Sequence, residues 1–567
     1  MDDATPAGED SPQQPGGATS WMADAAILMM FATLMSAITG LLREAAIGHQ
    51  YGRGYITDAF YNALTIPDFL YFLVAGGALR TGFVPVFTEL MARGQEDRAW
   101  RTFSTLFWLL AMVSALLAGA GMLLAEPLAH LVNPAWAGES TAPTVRSILT
   151  TLGLIAPGQE GNPEPLALCA AIMRLLFPAQ IFFLLGGLLM GTLNARRHFF
   201  WPAMGPIIYN LAIITAALVA PLLLGPTTLG YGALAGAMVG NFAVQMVALR
   251  NRGGRLQLSL APTGTGVRRV LLLAFPVMLG LAIAEINFVV TKVLANVVDE
   301  DGGVSTLNYA NRLWKLPARV IGAGIAIALF PALAEHYARD DPDQFQRDFS
   351  FGIRNAVFLT LPATALIMIL AEPSVRLLWP RFTDEGVWAV AVTLLWFSAG
   401  IVPLSLVYIA ARAFYARHDT MTPVWIGAIS VAACITAAVT LDGPYRVAGL
   451  AMATSISGVI NATLLLVMLQ VRVGGLGGRE IARSILRMIP PTALLTLVAW
   501  GSLAALEVVL PGGGMGGMLE RLLVVFVPMG LGALAFIALA RTMRLRELQS
   551  AWRMMARRFN RGGQQPR

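Results

Sequence analysis

Residues Phe103 to Ala125 have the sequence FSTLFWLLAMVSALLAGAGMLLA and contain no charged side chain. A helix needs about 20 apolar residues to cross the hydrocarbon core of a bilayer, so this stretch predicts a membrane-spanning helix. Runs of the same kind recur along the chain, separated by short polar breaks. They lack the alternating pattern of outer-membrane barrel strands. The sequence therefore predicts an all-α integral membrane protein.

The composition agrees with this class. Of the 567 residues, 56% are hydrophobic and 13% are charged, whereas about 25% of the residues in a soluble protein are charged. Cys169 and Cys434 lie inside apolar runs without metal-ligand spacing, so we predict neither a disulfide framework nor a metal site. The sequence contains no Walker, dinucleotide-binding or HExxH motif. We expect no enzyme activity, no cofactor and no metal.

The apolar runs predict about fourteen spans, arranged as two six-helix lobes and two C-terminal helices. The predicted spans are Trp21–Leu42, Thr57–Arg80, Phe103–Ala125, Leu168–Asn194, Pro202–Leu224, Tyr231–Leu249, Arg269–Val298, Ser305–Tyr337, Ile353–Ala371, Val387–Ala410, Pro423–Leu441, Val447–Val471, Ile485–Leu510 and Leu519–Ala540. The predicted domains are a disordered tail (1–20), an N-lobe (21–250), a C-lobe (251–472), the last two spans (473–541) and a basic tail (542–567). A short surface helix, Val145–Ile155, is expected inside the long loop Glu126–Ala167.

Two sequence motifs that occur once in each lobe indicate that the lobes arose by duplication. The segment 83–89 (FVPVFTE) closes the second span, and the segment 329–335 (LFPALAE) closes the eighth. An Ala-Arg pair also precedes a proline by the same step at 195–202 and at 416–423. Both motifs are offset by six helices, an even number, so the two lobes are expected to share one orientation as in parallel-repeat transporters.

Arginines concentrate in the loops that follow even-numbered spans, as at Arg196 with Arg197 and at Arg479 with Arg483. The loops after odd-numbered spans are sparser in arginine, or acidic as at 299–301. Because cytoplasmic loops are enriched in Lys and Arg, this bias predicts that both termini are cytoplasmic in a bacterial inner membrane. The net charge of +7 is thus a topology signal, and we expect no nucleic-acid partner.

Charged residues inside spans are costly and are therefore candidate functional residues. They are Arg43, Glu44, Asp58, Arg80 and Arg174 in the first lobe, and Glu285, Lys292, Arg312, Lys315 and Arg319 in the second. The last three share one helix face, which favours a wet cationic cavity between the lobes. Those near helix ends have the alternative of reaching the membrane interface. Glu285 is predicted to lie inside the protein beside a basic residue such as Lys292.

A cationic cavity at lipid depth suits an anion with an apolar tail, because a guanidinium pairs with two phosphate oxygens. At these positions the sequence resembles the MurJ/MviN family of lipid II flippases, within the multidrug/oligosaccharidyl-lipid/polysaccharide exporter superfamily. The segments that carry the resemblance include 42–44 with 57–60, 66–67 through 77–78, 191–194 with 202–203, 307–313 with 316–317, and 414–417 with 419–423.

The resemblance implies a V-shaped pair of lobes and alternating access, with a groove for the polyprenyl tail along the last two spans. It implies lipid II and membrane lipids as partners, beside other proteins of cell-wall synthesis. It implies that Arg43, Asp58 and Arg312 are cavity residues, and Arg174 matches a recurrent family position. With the intramembrane cations Arg80, Lys315 and Arg319, these are the candidate substrate-binding residues. Family members often carry an Asp-Arg pair on the seventh span where this chain has Thr291-Lys292, so Glu285, Thr291 and Lys292 are the candidates for ion coupling.

Three alternative functions can be compared with this pattern of charges. A related exporter of another polyprenyl-linked glycan would need the same cationic cavity. A cation-coupled drug exporter of the superfamily would favour an acidic one. A membrane scaffold without transport activity would gain nothing from costly charges inside its spans.

The predicted topology can be tested by cysteine labelling. We expect a cysteine engineered into the basic tail after Arg553 to resist a membrane-impermeant maleimide in intact spheroplasts, and to react once the membrane is opened. Labelling from outside the intact cells would refute the predicted topology.

Overall fold

The computed structural model describes residues 16–74, 78–137, 162–219, 221, 225–259, 265–510 and 516–549. Nearly all of these residues are helical, and no strand occurs among them. The helices of the N-lobe (residues 21–250, with the start of α1) are α1 Gly16–Tyr51, α2 Tyr55–Ala63, α3 Thr65–Val74, α4 Ala78–Ala92, α5 Glu96–Leu123, α6 Ala125–Val132, α7 Pro134–Ala137, α8 Pro163–Ala195, α9 Phe200–Val219 and α10 Gly225–Arg250.

The C-lobe (251–472) and the two C-terminal spans follow the same plan. Their helices are α11 Thr265–Val298, α12 Gly303–Ala338, α13 Pro342–Ile369, α14 Ala371–Leu378, α15 Asp384–Ser398, α16 Ile401–Ala416, α17 Met421–Leu441, α18 Tyr445–Val473, α19 Gly478–Val509 and α20 Met518–Thr542.

In the described part of the chain, ten helices are long and apolar enough to span a membrane. An eleventh span is made by α15 and α16 together, which are bent by 42°. Helix α1, the series α2 to α4, and helix α11 stand where the other three spans are predicted. The predicted all-α architecture is confirmed.

The second span departs from the prediction because it is not one continuous helix. Helix α2 ends at Ala63, and α3 begins after a turn at Leu64. Pro67 explains the break, since it has no N–H for the carbonyl group of Ala63 and its ring clashes with that group. The proline therefore divides the span into α2 and the helices that follow it.

The loop after the third span is more ordered than the sequence indicated. Residues predicted as loop from Glu126 onward form α6 and α7. The predicted surface helix Val145–Ile155 lies outside the described residues.

Helices α6 and α14 begin with a third sequence motif that is repeated in the two lobes. Each helix begins at the alanine of a Leu-Ala-Glu-Pro sequence, at 124–127 and 370–373. Leu124 and Leu370 have φ/ψ of −92°/9° and −93°/15°, and the residues after the two helices, Asn133 and Trp379, have −129°/63° and −126°/69°. The same backbone path is thus used at equivalent places in the two lobes.

The buried cores show how the lobes are arranged. One core contains residues of both lobes, such as Ile47 and Phe60 with Tyr309 and Trp379, and lies at the end where the loops after odd-numbered spans meet. We call this the joined end.

At the opposite end, the split end, two separate cores form. One contains N-lobe residues together with Val267 and Val270 of α11, and the other contains only C-lobe residues with the Leu476 loop. The lobes therefore share a core at the joined end and have separate cores at the split end.

Within the N-lobe, small residues allow the helices to approach closely. Gly240 of α10 faces α9, where an added Cβ would lie 2.7 Å from the carbonyl oxygen of Gly205 and 2.9 Å from the Cβ of Ile208. Backbone contact of this kind is the usual role of small residues between membrane helices.

We expect Gly240→Ala to lower the thermal stability of the purified protein, because overpacking costs about 1–3 kcal/mol. Gly427→Ala is the matched control, since a Cβ on Gly427 of α17 meets nothing within 4 Å. Thermal unfolding in detergent measures both variants. Equal melting temperatures for the two would contradict the packing described here.

Candidate functional site

The side chain of Glu44 is where the two lobes meet. Glu44 follows Arg43 on α1 and is 1% exposed. Its carboxylate accepts hydrogen bonds from Arg43 and Tyr61 of the N-lobe, and from Arg312 of the C-lobe, whose Nε lies 3.0 Å from Oε1. A buried carboxylate without partners is strongly destabilising, so each of these donors compensates its desolvation. Two guanidinium groups from opposite lobes are thereby held on one anion.

The N-lobe alone fixes the orientation of Arg43. Its NH1 donates to Oδ1 of Asn210 on α9 at 3.2 Å. The Asn210 amide in turn donates to the carbonyl oxygen of Ser36 and to Oγ1 of Thr39, at 3.3 and 3.2 Å. The buried Nε of Arg43 has no hydrogen-bond partner among the described residues. One donor therefore remains for an anionic oxygen.

Helix α12 presents the three predicted cations along one face. The Arg312 side chain is 42% exposed and uses only its Nε in the described contacts. The ammonium of Lys315 lies 5.6 Å from the ring centre of Phe288. Arg319 is exposed and lies in the π-helical stretch Ala318–Ala323, directly after Pro317. The face therefore runs about 10 Å from Arg312 toward the split end.

Lys292 occupies the break in the second span. It is 3% exposed, and its Nζ donates to the carbonyl oxygen of Tyr61 at 2.9 Å and to Oγ1 of Thr65 at 3.3 Å. The same ammonium lies 4.7 Å from the ring centre of Phe288. A cation is favourable at the C-terminus of a helix, here that of α2. Lys292 thus joins α11 to the N-lobe.

Glu285 is predicted to lie inside the protein near a basic residue, and Lys315, Lys292 and Arg319 are all close enough to act on its charge. Glu285 is half-buried, and it makes no ion pair among the described residues. The Lys292 ammonium instead donates to the carbonyl oxygen of Tyr61, in the last turn of α2. Thr291 donates to the carbonyl oxygen of Asn287 in its own helix, at 2.7 Å. These three residues do not converge on one ion site here.

Asp58 serves the lobe interface and does not face a cavity. It is fully buried on α2, and its Oδ2 accepts from the backbone N–H groups of Gly302 at 2.9 Å and Val304 at 3.3 Å. Its Oδ1 accepts from the N–H of Ser305 at 2.6 Å. A carboxylate at a helix N-terminus satisfies orphan donors and is favoured by the helix dipole. In this structure Asp58 is therefore a cap on α12 from the other lobe, and its predicted contact with substrate stays a prediction.

A reciprocal contact strengthens this joined end. The backbone N–H of Tyr55, at the start of α2, donates to Oδ1 of Asp301 at 2.7 Å. Nearby, Arg53 donates to Oγ1 of Thr306 at 2.7 Å and pairs with Asp299. Each lobe thus supplies an aspartate to the N-terminus of a helix in the other lobe.

Two predicted site residues are not part of this cluster. Arg174 on α8 is half exposed and lies 3.8 Å from the exposed Glu126 of α6. It belongs with the outer surface of the N-lobe, where an ion pair of this kind contributes little stability. The side chain of Arg80 lies outside the described residues.

Sequence reasoning missed several members of the cluster. Glu44 was recognised as an intramembrane charge but not as the centre of the site. An acid directly beside Arg43 in an apolar helix was the available signal. Tyr61 and Asn210 carry no charge, and their proximity depends on packing between helices that are far apart in sequence. No local pattern could have identified them.

The arrangement is suited to binding an anion between the lobes. Arg43 and Arg312 each keep unused N–H donors while they share the Glu44 carboxylate. Guanidinium groups make strong charge-assisted bonds to phosphate oxygens.

Comparison with known protein families gives one match over most of the chain. Residues 47–512 match the family model described as lipid II flippase MurJ. A probable lipid II flippase MurJ from Rhizobium meliloti (strain 1021) is 31% identical over 458 residues, which are 79% of this chain and 80% of that protein. The corresponding protein of Vibrio cholerae is 28% identical over 537 residues, covering 93% of this chain and 97% of that protein.

Solved structures agree on the fold. A lipid II flippase MurJ in an inward closed conformation aligns with a TM-score of 0.70 at 20% identity, covering 91% of this chain and 99% of that chain. An inward-facing multidrug transporter of the MATE family aligns with a TM-score of 0.62 at 13% identity, covering 79% of this chain and 98% of that chain.

The role of Asp58 can be tested by hydrogen exchange of the protein in detergent. Asp58→Ala removes the acceptor of three buried N–H groups, so we expect exchange in residues 302–305 to rise roughly tenfold or more. Asp341→Ala is the matched control, because Asp341 caps α13 through the N–H of Gln344 within one lobe. Unchanged exchange at 302–305 in Asp58→Ala would refute the cap.

Proposed function

This chain belongs to the MurJ family of lipid II flippases, and from that membership we propose that it translocates lipid II. Lipid II is the undecaprenyl-pyrophosphate-linked precursor of peptidoglycan. It would move from the inner to the outer leaflet of a bacterial inner membrane, as one step in cell-wall synthesis beside other proteins of that process. The chain acts as a multi-pass membrane transporter.

The observation that carries this proposal is the meeting of Arg43 and Arg312 on the carboxylate of Glu44. Pyrophosphate offers the same kind of anionic oxygens as that carboxylate, but more of them and with higher charge. The two arginines would bind it from opposite lobes. Lys315 and Arg319 would attract it along α12 from the split end.

In the proposed mechanism, alternating access depends on opening the joined end of the molecule. Release on the other side requires the lobes to separate at the joined end, which would break the Asp58 cap and the contact between Arg312 and Glu44. A ligand shifts such an equilibrium only if it binds the two states differently. Pyrophosphate held by both lobes meets this condition, because separation changes the distance between its two arginines.

The direction of transport rests on the arginine distribution. If the basic loops after even-numbered spans are cytoplasmic, the split end faces the cytoplasm, where lipid II is made. The conformation described here would then be the one that accepts substrate.

The last two spans (473–541) would hold the polyprenyl tail. They are fixed to the C-lobe, since Arg354 of α13 bonds Glu480 at 2.8 Å and lies 3.9 Å from the buried Glu547. The rings of Phe358 and Phe536 also pack at 5.2 Å. The tail site would therefore move with the C-lobe while the head group crosses.

The proposal is tested by rescue of cells depleted of their own lipid II flippase. We expect expression of this chain to restore growth and lipid II translocation. Failure to restore translocation at normal membrane levels would refute lipid II as the substrate. The substrate hypothesis to test next would then be another polyprenyl-linked glycan.

Substitution of the arginines tests the mechanism. Lys keeps the charge of Arg312 but lacks the planar fork, so Arg312→Lys should slow translocation, and Arg312→Ala and Arg43→Ala should slow it roughly tenfold or more. The exposed Arg339, paired with Glu335 on the surface of the C-lobe, supplies the control Arg339→Ala. Lipid II translocation is measured at equal membrane levels. Wild-type rates for both Arg43→Ala and Arg312→Ala would refute the two-lobe clamp.

A further inference from the structure

Trp379 is a C-lobe residue whose indole reaches into the N-lobe. It follows α14, is fully buried, and donates from its Nε1 to the backbone carbonyl oxygen of Glu44 at 2.9 Å. In a helix that carbonyl already accepts from the N–H four residues later, which is that of Gly48. A carbonyl oxygen has two lone pairs, so the indole can be its second donor.

The site on α1 that receives the indole exists only because residue 48 is glycine. A Cβ at Gly48 would lie 2.1 Å from Cδ1 and 2.5 Å from Nε1 of Trp379. The indole therefore lies directly against the backbone of α1, where a side chain would exclude it.

Aromatic neighbours hold the indole in this orientation. Trp379 packs against Tyr309 at 4.6 Å and stacks on Phe382 at 5.7 Å between ring centres. Tyr309 in turn makes an edge contact with Tyr61 at 6.0 Å and donates to the carbonyl oxygen of Gly52 at 3.2 Å. The hydrogen bond to Glu44 thus comes from a side chain with little freedom to turn away.

We propose that Trp379 is a positioning residue for the pyrophosphate site, because it fixes the backbone of the residue whose carboxylate holds Arg43 and Arg312. This inference rests on the proposed function. The indole sets the rotation of α1 about its axis at Glu44, and so sets where the carboxylate meets the guanidinium of Arg312. When the lobes separate at the joined end, Trp379 leaves with the C-lobe. Glu44 then loses both of its contacts with the C-lobe, the bond from Trp379 to its backbone carbonyl oxygen and the bond from Arg312 to its carboxylate.

Trp136 provides a control within the same interface. It belongs to the N-lobe, and its Nε1 donates to the backbone carbonyl oxygen of Glu300 in the C-lobe at 2.9 Å. It therefore joins the lobes by the same kind of bond without touching α1. Trp314 supplies a second control, since its Nε1 donates to Asn311 at 2.8 Å within the C-lobe.

The test compares Trp379→Phe, Trp136→Phe and Trp314→Phe in the full chain, each of which loses an indole donor and keeps an aromatic ring. The first readout is maleimide labelling of a reporter, Ser305→Cys, which is buried at the joined end. The native Cys169 and Cys434 are both buried, and the chain without the reporter gives their background. The second readout is binding of undecaprenyl pyrophosphate in detergent.

We expect Trp379→Phe and Trp136→Phe each to raise labelling about fivefold, which corresponds to one net hydrogen bond lost between the lobes. Trp379→Phe should bind undecaprenyl pyrophosphate about fivefold more weakly than Trp136→Phe does. Equal binding by these two variants would overturn the proposal, as would labelling of Trp379→Phe equal to that of Trp314→Phe.

A second pair of variants approaches the same contact from α1. Gly48→Ala should displace the indole and reproduce the weaker binding, whereas Gly40→Ala should not, because a Cβ there meets only the Asn210 amide at 3.6 Å. Equal binding by these two variants would also overturn the proposal. Failure of the proposed function is distinguishable, since the wild-type chain would then bind undecaprenyl pyrophosphate no better than undecaprenol while the labelling differences persist.

Discussion

The buried carboxylate of Glu44 is the interaction on which the arrangement of the lobes depends. It is almost fully buried, where an unpaired charge is costly, and its partners come from both halves of the chain. Arg43 and Tyr61 approach from the N-lobe and Arg312 from the C-lobe. The same charge that makes Glu44 expensive therefore makes the contact between the lobes specific. It also keeps two guanidinium groups close together, which would repel each other without an anion between them.

The duplicated architecture explains how a few contacts can hold one end and leave the other free. Equivalent helices of the two lobes present their N-termini at the joined end, where Asp58 and Asp301 each accept from the backbone of the opposite lobe. Among the described residues at the split end, α11 is the part of the C-lobe that joins the N-lobe core, and the other C-lobe helices there form a core of their own. Rocking about such a joint exchanges a limited set of polar contacts and leaves the core of each lobe intact. Lys292 adds a cation at the break in the second span, which Pro67 creates.

Much of the fold could be predicted from the sequence, because apolar runs and arginine bias are local signals. The span positions and the cationic face of α12 follow from such signals. Lys292 was recognised as an intramembrane charge, but its bond to the carbonyl oxygen of Tyr61 could not be predicted, since spacing along one helix cannot reveal a carbonyl group on another. Asp58 was assigned to substrate for a similar reason: a buried acid in a span has the same sequence signature whether it binds a ligand or caps a helix. The contacts of Tyr61, Asn210 and Trp379 depend on tertiary packing alone.

The most direct measurement of the central claim is the lipid II translocation rate of Glu44→Gln at wild-type membrane levels. Glutamine keeps the size of the side chain and can accept a hydrogen bond, but it cannot neutralise two guanidinium groups. The account predicts a folded, inserted protein whose translocation is slowed roughly a hundredfold, since separating the buried charges from their partner costs about 3–5 kcal/mol. A Glu44→Gln protein that translocates lipid II at the wild-type rate would contradict it.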